Sequence, residues 1–302
     1  MFNGDILESL EPCFQSPDHE TRAVMVDVLK SIVDNNAQLI REFLLKQAKE
    51  KMENEDVLLN RMITHMLTDI DVHLTSGSEI ILILKTLLDP ETMTNVKSDR
   101  SDFLHLFYNR CLDTLLKPLL ESVNGGVVKK DDYMMANRLS VILRFLTFCV
   151  EHHSFSMRQR CISNDLMNKV LVLLKSKHSL LILSALKLLQ RVVSVKDDKY
   201  TRYIAREKVL DPVMECFRRN GNRYNVIKSA VLHLFDHVIE GVNYVKTFKE
   251  IKIRYDQHRD REETMSVRSE DNSMGSPRSF RKDRNDECWF EEEEDLEVGT
   301  ML

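Results

Sequence analysis

The chain has 302 residues, enough for one or two domains, with 43% hydrophobic and 30% charged residues, the composition of a water-soluble globular protein. Only 8 Gly and 6 Pro are available to turn the backbone tightly, which argues against a many-stranded hairpin protein or a Gly-rich nucleotide-loop enzyme and favours an all-α protein. The formal net charge of -5 is uneven: residues 256–302 hold 15 acidic against 7 basic residues, the rest 33 against 36, so no concentrated basic face announces nucleic acid as a direct partner.

From the start, Met1-Phe2-Asn3-Gly4-Asp5 shows no basic-then-apolar secretory address. Residues 1 to about 240 read as a succession of amphipathic helices. Ser16-Pro17-Asp18 is a helix start, with a capping hydroxyl, a first-turn proline and an acid at the positive helix end. The helix that follows is expected to put Val24, Val28, Ile32 and their neighbours on one side. Leu139, Ile142, Leu143, Leu146 and Val150 hold helical spacing, and Phe145, Phe148 and Cys149 extend the apolar surface round the other sides, which predicts a helix buried nearly all round. Ser140, Arg144 and Thr147 interrupt this longest apolar run, which falls short of the ~20 residues a membrane span needs. Asp211-Pro212 repeats the start signal, and Asn220-Gly221 supplies a left-handed stop.

Self-similarity is the most informative pattern. Ser184-Ala185 recurs as Ser229-Ala230, an offset of 45 residues, together with Leu181/Val226, Ile182/Ile227, Leu186/Val231, Leu189/Leu234 and Val193/Val238. That offset lies in the ~40 to 47 range of HEAT and armadillo repeats. A looser Leu-Lys echo opens at Leu29, Leu84 and Leu186. Helical hairpins with one apolar side each hide it by stacking, so the expected fold is an armadillo/HEAT-like helical-repeat solenoid over residues 1–255; an irregular helical bundle is the plainer alternative. From Asp256 to Leu302 the chain turns Arg/Glu/Ser-rich and ends in the acidic run Glu291 to Asp295, expected to be a disordered acidic tail.

The six cysteines, Cys13, Cys111, Cys149, Cys161, Cys216 and Cys288, form no C-x-x-C pair and read as reduced intracellular thiols. No phosphate loop, dinucleotide glycine motif, H-E-x-x-H or nucleophile elbow occurs, so neither a catalytic residue nor a cofactor is expected. Cys149 with His152, His153 and Cys161 is the nearest approach to a zinc set, yet the ligands are not paired at short spacing. A core Cys149 and a helix end at the two histidines is the preferred reading. Glu55-Asp56 and Asp69/Asp71 read as solvated or capping acids. Lys175, Lys177, His178, Arg191 and Arg223 could form a basic strip or simply be solvated helix ends. Arg223-Tyr224-Asn225 could meet a partner or cap the next helix. Arg278 to Arg284 weakly resembles a nuclear-import signal, and Ser276-Pro277 a proline-directed phosphorylation site. For partner contacts, the expected residues are the polar ones flanking strongly apolar helices: His152, His153, Lys177, His178, Arg223, Tyr224 and Asn225.

Several segments together resemble a known family. They are Thr147 to His153, Val170 to Leu173 leading to Ser176-Lys177-His178, Arg202-Tyr203-Ile204, Arg223-Tyr224-Asn225, and Tyr244 to Lys249. Upstream, Leu88-Asp89-Pro90-Glu91, Ser101 to Leu104 and Phe107-Tyr108-Asn109 fit the same pattern, as does Trp289-Phe290 before the acidic run. The family is regulatory subunit 3 of serine/threonine protein phosphatase 4, also called SMEK or falafel. The resemblance implies a non-catalytic scaffold that joins the phosphatase 4 catalytic subunit and a second regulatory subunit and so touches phosphoprotein substrates indirectly. It also implies placement in nucleus, cytoplasm and centrosome, with roles in DNA-damage repair, cell division and stress signalling. Two departures qualify it. Full-length relatives begin with a pleckstrin-homology-like domain, whereas this chain is expected to start inside the repeats. Between Phe235 and Tyr244 the family carries a further helix, and here only Asp236 to Asn243 intervene. An alternative expectation is therefore a truncated adaptor that competes with the full-length subunit for the same partners.

Overall fold

The computed structural model describes residues 5–52, 56–68, 75–93, 97–221, 223 and 225–241, all within the first of the chain's two units, residues 1–249. The 255/256 boundary, the acidic tail, Arg278 to Arg284, Ser276-Pro277, Tyr244 to Lys249 and Asp69/Asp71 lie outside the described residues.

Among the described residues every regular element is helical. The helices are α1 (Asp5–Leu10), α2 (His19–Glu50), α3 (Leu58–Thr68), α4 (Thr75–Leu88), α5 (Lys97–Leu106), α6 (Leu112–Ser122), α7 (Tyr133–His152), α8 (Ser154–Ser163), α9 (Leu166–Leu171), α10 (Ser179–Ser194), α11 (Asp198–Arg206), α12 (Asp211–Asn220) and α13 (Val226–Gly241). A π-helical turn, Phe107–Cys111, joins α5 to α6, and a 3-10 turn, Val172–Lys175, extends α9. This is an all-α helical-repeat solenoid, in which α10 packs between α7 and α13, and α4 between α2 and α3.

The capping chemistry decides where elements start. Asp18, not Ser16, is the N-cap of α2: its carboxylate accepts from Thr21 N–H at 2.8 Å, while Ser16 Oγ accepts from Asp18 N–H at 3.2 Å. Inside α2, Asn36 leaves the helical region and its Oδ1 accepts from Leu39 N–H at 3.2 Å, so one residue breaks the helix and caps its second half. α12 opens with Asp211-Pro212 and stops at Gly221, as the sequence predicts; Gly221 donates its N–H to Phe217 and Arg218 carbonyls, and its positive φ of 62° is paired with ψ -138°, outside the left-handed helical well expected there.

The expected core face of α2 is wrong. Val24 and Val28 are exposed, and the buried stripe is Met25, Val26, Leu29 and Val33, one residue further round. Both rows are aliphatic at spacing four, so periodicity alone does not choose between them; packing against α4 does. The reading of α7 holds, with Leu139, Ile142, Leu143, Phe145, Leu146, Cys149 and Val150 all at 0% exposure. By length and a mean hydropathy of 1.3, α7 would suffice to cross a membrane, but 56% of that window is buried inside the fold and its apolar side chains face α10 and α6. Of the 45-residue correspondences, Ala185/Ala230, Leu186/Val231, Leu189/Leu234 and Val193/Val238 are buried in both members, whereas Val226 is exposed where Leu181 is buried. The Leu-Lys echo also marks core, since Leu29, Leu84 and Leu186 are all buried.

Candidate partner-binding edges

Two seams fix how α7, α10 and α13 lie together. Asp131, just before α7, accepts the Ser176 hydroxyl on Oδ1 at 2.7 Å and the Lys177 N–H on Oδ2 at 2.8 Å. Its carbonyl accepts His178 Nε2–H at 3.3 Å. At the far ends, Arg191 of α10 pairs with Glu151 of α7 at 3.3 Å. Start meets start and end meets end, so α7 and α10 run parallel. The Arg219 guanidinium donates to the Leu174 carbonyl ahead of α13 and α10, and Gln190 Nε2–H in the second half of α10 donates to His233 Nδ1 midway along α13 at 3.1 Å, which sets α13 in the same sense. The three helices therefore share one edge at their N-terminal ends, built from residues 123–135 and 175–180 with Gly221, Arg223, Asn225 and Val226, and an opposite edge at their C-terminal ends.

Burial works to raise the Asp131 carboxyl, but the Lys177 N–H, the Ser176 hydroxyl and the His178 and Lys177 charges outweigh it and hold the group below the usual carboxylate range. Asp131 is a residue that sequence reasoning missed. Its signal was present: Lys129-Lys130-Asp131-Asp132 precedes α7 as Ser176-Lys177-His178 precedes α10, at nearly the repeat interval.

The expected contact residues divide between the edges. Lys177 is exposed and His178 half-buried on the N-terminal edge, the His178 ring lying edge-on to Tyr133 with centroids 6.4 Å apart. Arg223 and Asn225 are exposed on the same edge. Asn225 caps α13, its Oδ1 accepting from Lys228 N–H at 3.0 Å, and its amide exchanges hydrogen bonds with Asn220 at 2.9 and 3.2 Å. Tyr224 lies outside the described residues. His152 is exposed on the C-terminal edge, its ring 4.5 Å from that of Phe148. The basic strip is shorter than expected: Arg191, the thirteenth residue of α10, stands at the C-terminal edge beside Glu151, whereas Lys175 donates to the Gly126 carbonyl at 3.0 Å on the N-terminal edge.

His153 is not a surface residue. It is 4% exposed, with Nε2 at 2.7 Å from the Leu88 carbonyl and Nδ1 at 3.0 Å from the Tyr108 hydroxyl. The π-helical turn at Phe107–Cys111 carries Tyr108 into this position. The zinc alternative finds no support from these atoms, because both His153 ring nitrogens are engaged within the fold and burial pushes the Cys149 and Cys161 thiols up to about 12, away from the thiolate that zinc binds. Among the described residues no three His, Cys, Asp or Glu side chains are grouped to hold a metal ion.

Arginines make the remaining seams, and none of them stood out in the sequence. Arg41, 2% exposed, donates Nε to the Leu87 carbonyl at 2.8 Å, Nη1 to Thr92 O at 2.9 Å, and Nη2 to Thr86 O and Thr92 Oγ1 at 2.7 and 2.6 Å. Arg110 does the same for Ala48 O and Met52 O at the end of α2. Arg160 holds Tyr108 O and Asn109 Oδ1. The last carbonyls of a helix lack partners within it and carry partial negative charge, so at the ends of α4 and α2 a guanidinium fork from a neighbouring helical segment satisfies two or three at once.

No solved structure matches the chain. A family model described as phosphatase 4 regulatory subunit 3 matches residues 1–269. Serine/threonine-protein phosphatase 4 regulatory subunit 3 of Drosophila melanogaster is 34% identical over 98% of this chain and 33% of its own length. Protein PPP4R3C1 of Mus musculus is 30% identical over 85% of this chain and 35% of its own length. The chain thus spans about a third of the length of these curated relatives. A match that runs through every described helix leaves one conclusion about ancestry: the chain belongs to the phosphatase 4 regulatory subunit 3 family.

Proposed function

We propose that this chain is a non-catalytic scaffold subunit of a serine/threonine protein phosphatase 4 complex. The observation that carries the reading is the family match over residues 1–269. The stacked helices supply it with edges for partners, and the dimetal chemistry belongs to the catalytic subunit it holds. In this reading the chain engages that catalytic subunit and a second regulatory subunit, works in nucleus and cytoplasm and at the centrosome, and helps direct dephosphorylation in DNA-damage repair, cell division and stress signalling. His152, Lys177, His178, Arg223 and Asn225 are the contact residues available to it on the two edges.

Affinity capture of the tagged full chain from cell extract tests this. Recovery of the phosphatase 4 catalytic subunit is the expected result, and recovery of unrelated proteins alone overturns it. Repeating the capture against rising amounts of a full-length relative reads the competing-adaptor alternative, since an adaptor for the same partners loses them to the relative.

A further inference from the structure

The exposed apolar side chains of the described fold are mostly scattered, and single ones need no explanation. One group is different. Val127 (64% exposed), Tyr133 (58%), Met134 (54%), Leu180 (47%) and Val226 (43%) all stand on the N-terminal edge of α7, α10 and α13. Four of the five occupy the first two positions of these helices, and Val127 lies in the loop leading to α7. Tyr133, Leu180 and Val127 flank the α7–α10 seam: the Tyr133 ring meets His178, two residues before Leu180, and Lys175 Nζ reaches the carbonyl of Gly126, next to Val127.

The same edge is positive. Lys129, Lys130, Lys175, Lys177 and Arg223 are exposed there, against the acids Asp131 and Asp132. Both acids are already occupied, Asp131 by Ser176 and Lys177 and Asp132 as the N-cap receiving Met135 N–H at 2.8 Å. Five spread cations with two acids among them, beside mainly aliphatic side chains, suit nucleic acid poorly, since it calls for concentrated charge and stacking aromatics. Charge complementarity instead selects an anionic protein segment whose apolar side chains cover the exposed row.

We propose that the N-terminal edge of α7, α10 and α13 is a docking surface for an extended acidic peptide of a partner protein that carries apolar side chains. The spacing defines the occupant. Packed helices lie ~8–10 Å apart, and a chain extended in the polyproline II conformation advances ~3.1 Å per residue and returns to the same face at every third residue. An apolar residue at about every third position, with Asp or Glu between, therefore meets one helix start after another. The proposal deepens the scaffold reading by naming the chemistry of a partner, and rests on that reading only for there being a partner.

Fluorescence anisotropy with the purified full chain tests it. The probe is a labelled synthetic peptide of about nine residues with Leu at every third position and Glu or Asp between. The expected result is saturable binding that weakens with added salt. Replacing the acids by Lys, or the Leu by Ser, weakens it by about tenfold or more. Lys175→Glu with Lys177→Glu, and separately Tyr133→Ser with Leu180→Ser, raise Kd by about tenfold each while the melting temperature holds. Absence of saturable binding, equal binding of the Lys or Ser control peptides, or indifference to both variants overturns the proposal. Tighter binding of an oligothymidine of equal charge also overturns it. Because the assay contains no phosphatase, failed capture with intact peptide binding removes only the scaffold reading, and the reverse outcome removes only this one.

Discussion

His153 Nε2 lies 2.7 Å from the carbonyl oxygen of Leu88, a residue 65 positions earlier. A carbonyl can only accept, so Nε2 carries the proton and the neutral ring presents its Nδ1 lone pair to the Tyr108 hydroxyl, which donates at 3.0 Å. One neutral tautomer thus joins the end of α4, the π-helical turn and the end of α7. A second proton on the ring would displace the Tyr108 bond and place a charge in the interior.

A pH dependence follows. Burial, reinforced by His152 and Arg100, pulls His153 down to about 4 from its ordinary 6.5, against opposing effects of the Leu88 carbonyl and Asp89. Between those values the unfolded chain binds a proton that the folded chain refuses, so stability is complete above pH 6.5 and falls as pH drops toward 4, by about 3 kcal/mol in all. Urea melts at pH 7.5, 6 and 5 on the wild type and on His153→Gln check this. The difference between the two proteins should shrink as pH falls; a constant difference would contradict the buried neutral ring. Asp131 and Asp197, both held low, add their losses only at still lower pH and cancel in the comparison.

Arg41 should be among the most sensitive polar positions. Truncation to Ala strands the carbonyls of Thr86, Leu87 and Thr92 that its guanidinium now satisfies. The expected loss is about 3–5 kcal/mol in denaturant melts. Arg41→Lys should recover little of it, because an ammonium cannot reproduce a planar fork that reaches four acceptors. A lysine variant as stable as wild type would show that the charge alone matters.

Core and surface should separate sharply. Leu143→Ala in α7 and Leu186→Ala in α10 remove side chains at 0% and 1% exposure, and each should cost ~2–5 kcal/mol through the cavity left. Val24→Ala and Val28→Ala in α2 should change stability by about 0.5 kcal/mol or less. Equal losses at the two kinds of site would contradict the placement of α2.

These contrasts mark what sequence could carry. α7 was legible because apolar residues ring it on nearly every side, so no choice of face was needed. α2 was not, because Val24-Val28-Ile32 and Met25-Leu29-Val33 are equivalent stripes until α4 packs on one of them. Lys177 and Arg223 were found as polar residues beside apolar runs, and both are exposed. The same rule failed at His153, since adjacency to the exposed His152 gives no hint that the next ring turns inward to meet Leu88 and Tyr108. Arg41 was invisible for a related reason: a buried arginine looks like a solvated one until its carbonyl partners, supplied from 45 and more positions away, are known.

The burial and capping roles also determine which alanine variants can test partner binding cleanly. Asn225→Ala removes the cap of α13 and should cost about 1 kcal/mol, and His153→Ala opens the interior, so weaker phosphatase capture by either would mix folding with binding. His152, Lys177 and Arg223 are exposed; Lys177 and Arg223 bond through their backbones, whereas His152 stacks on Phe148, so their alanine variants should leave the melting temperature within about a degree or two. If partners sit on the N-terminal edge, Lys177→Ala with Arg223→Ala lowers capture while His152→Ala does not, and the reverse pattern assigns the C-terminal edge. Capture and melting measured on the same preparations decide it; unchanged capture by all three variants would remove both edges as contact sites for the complex.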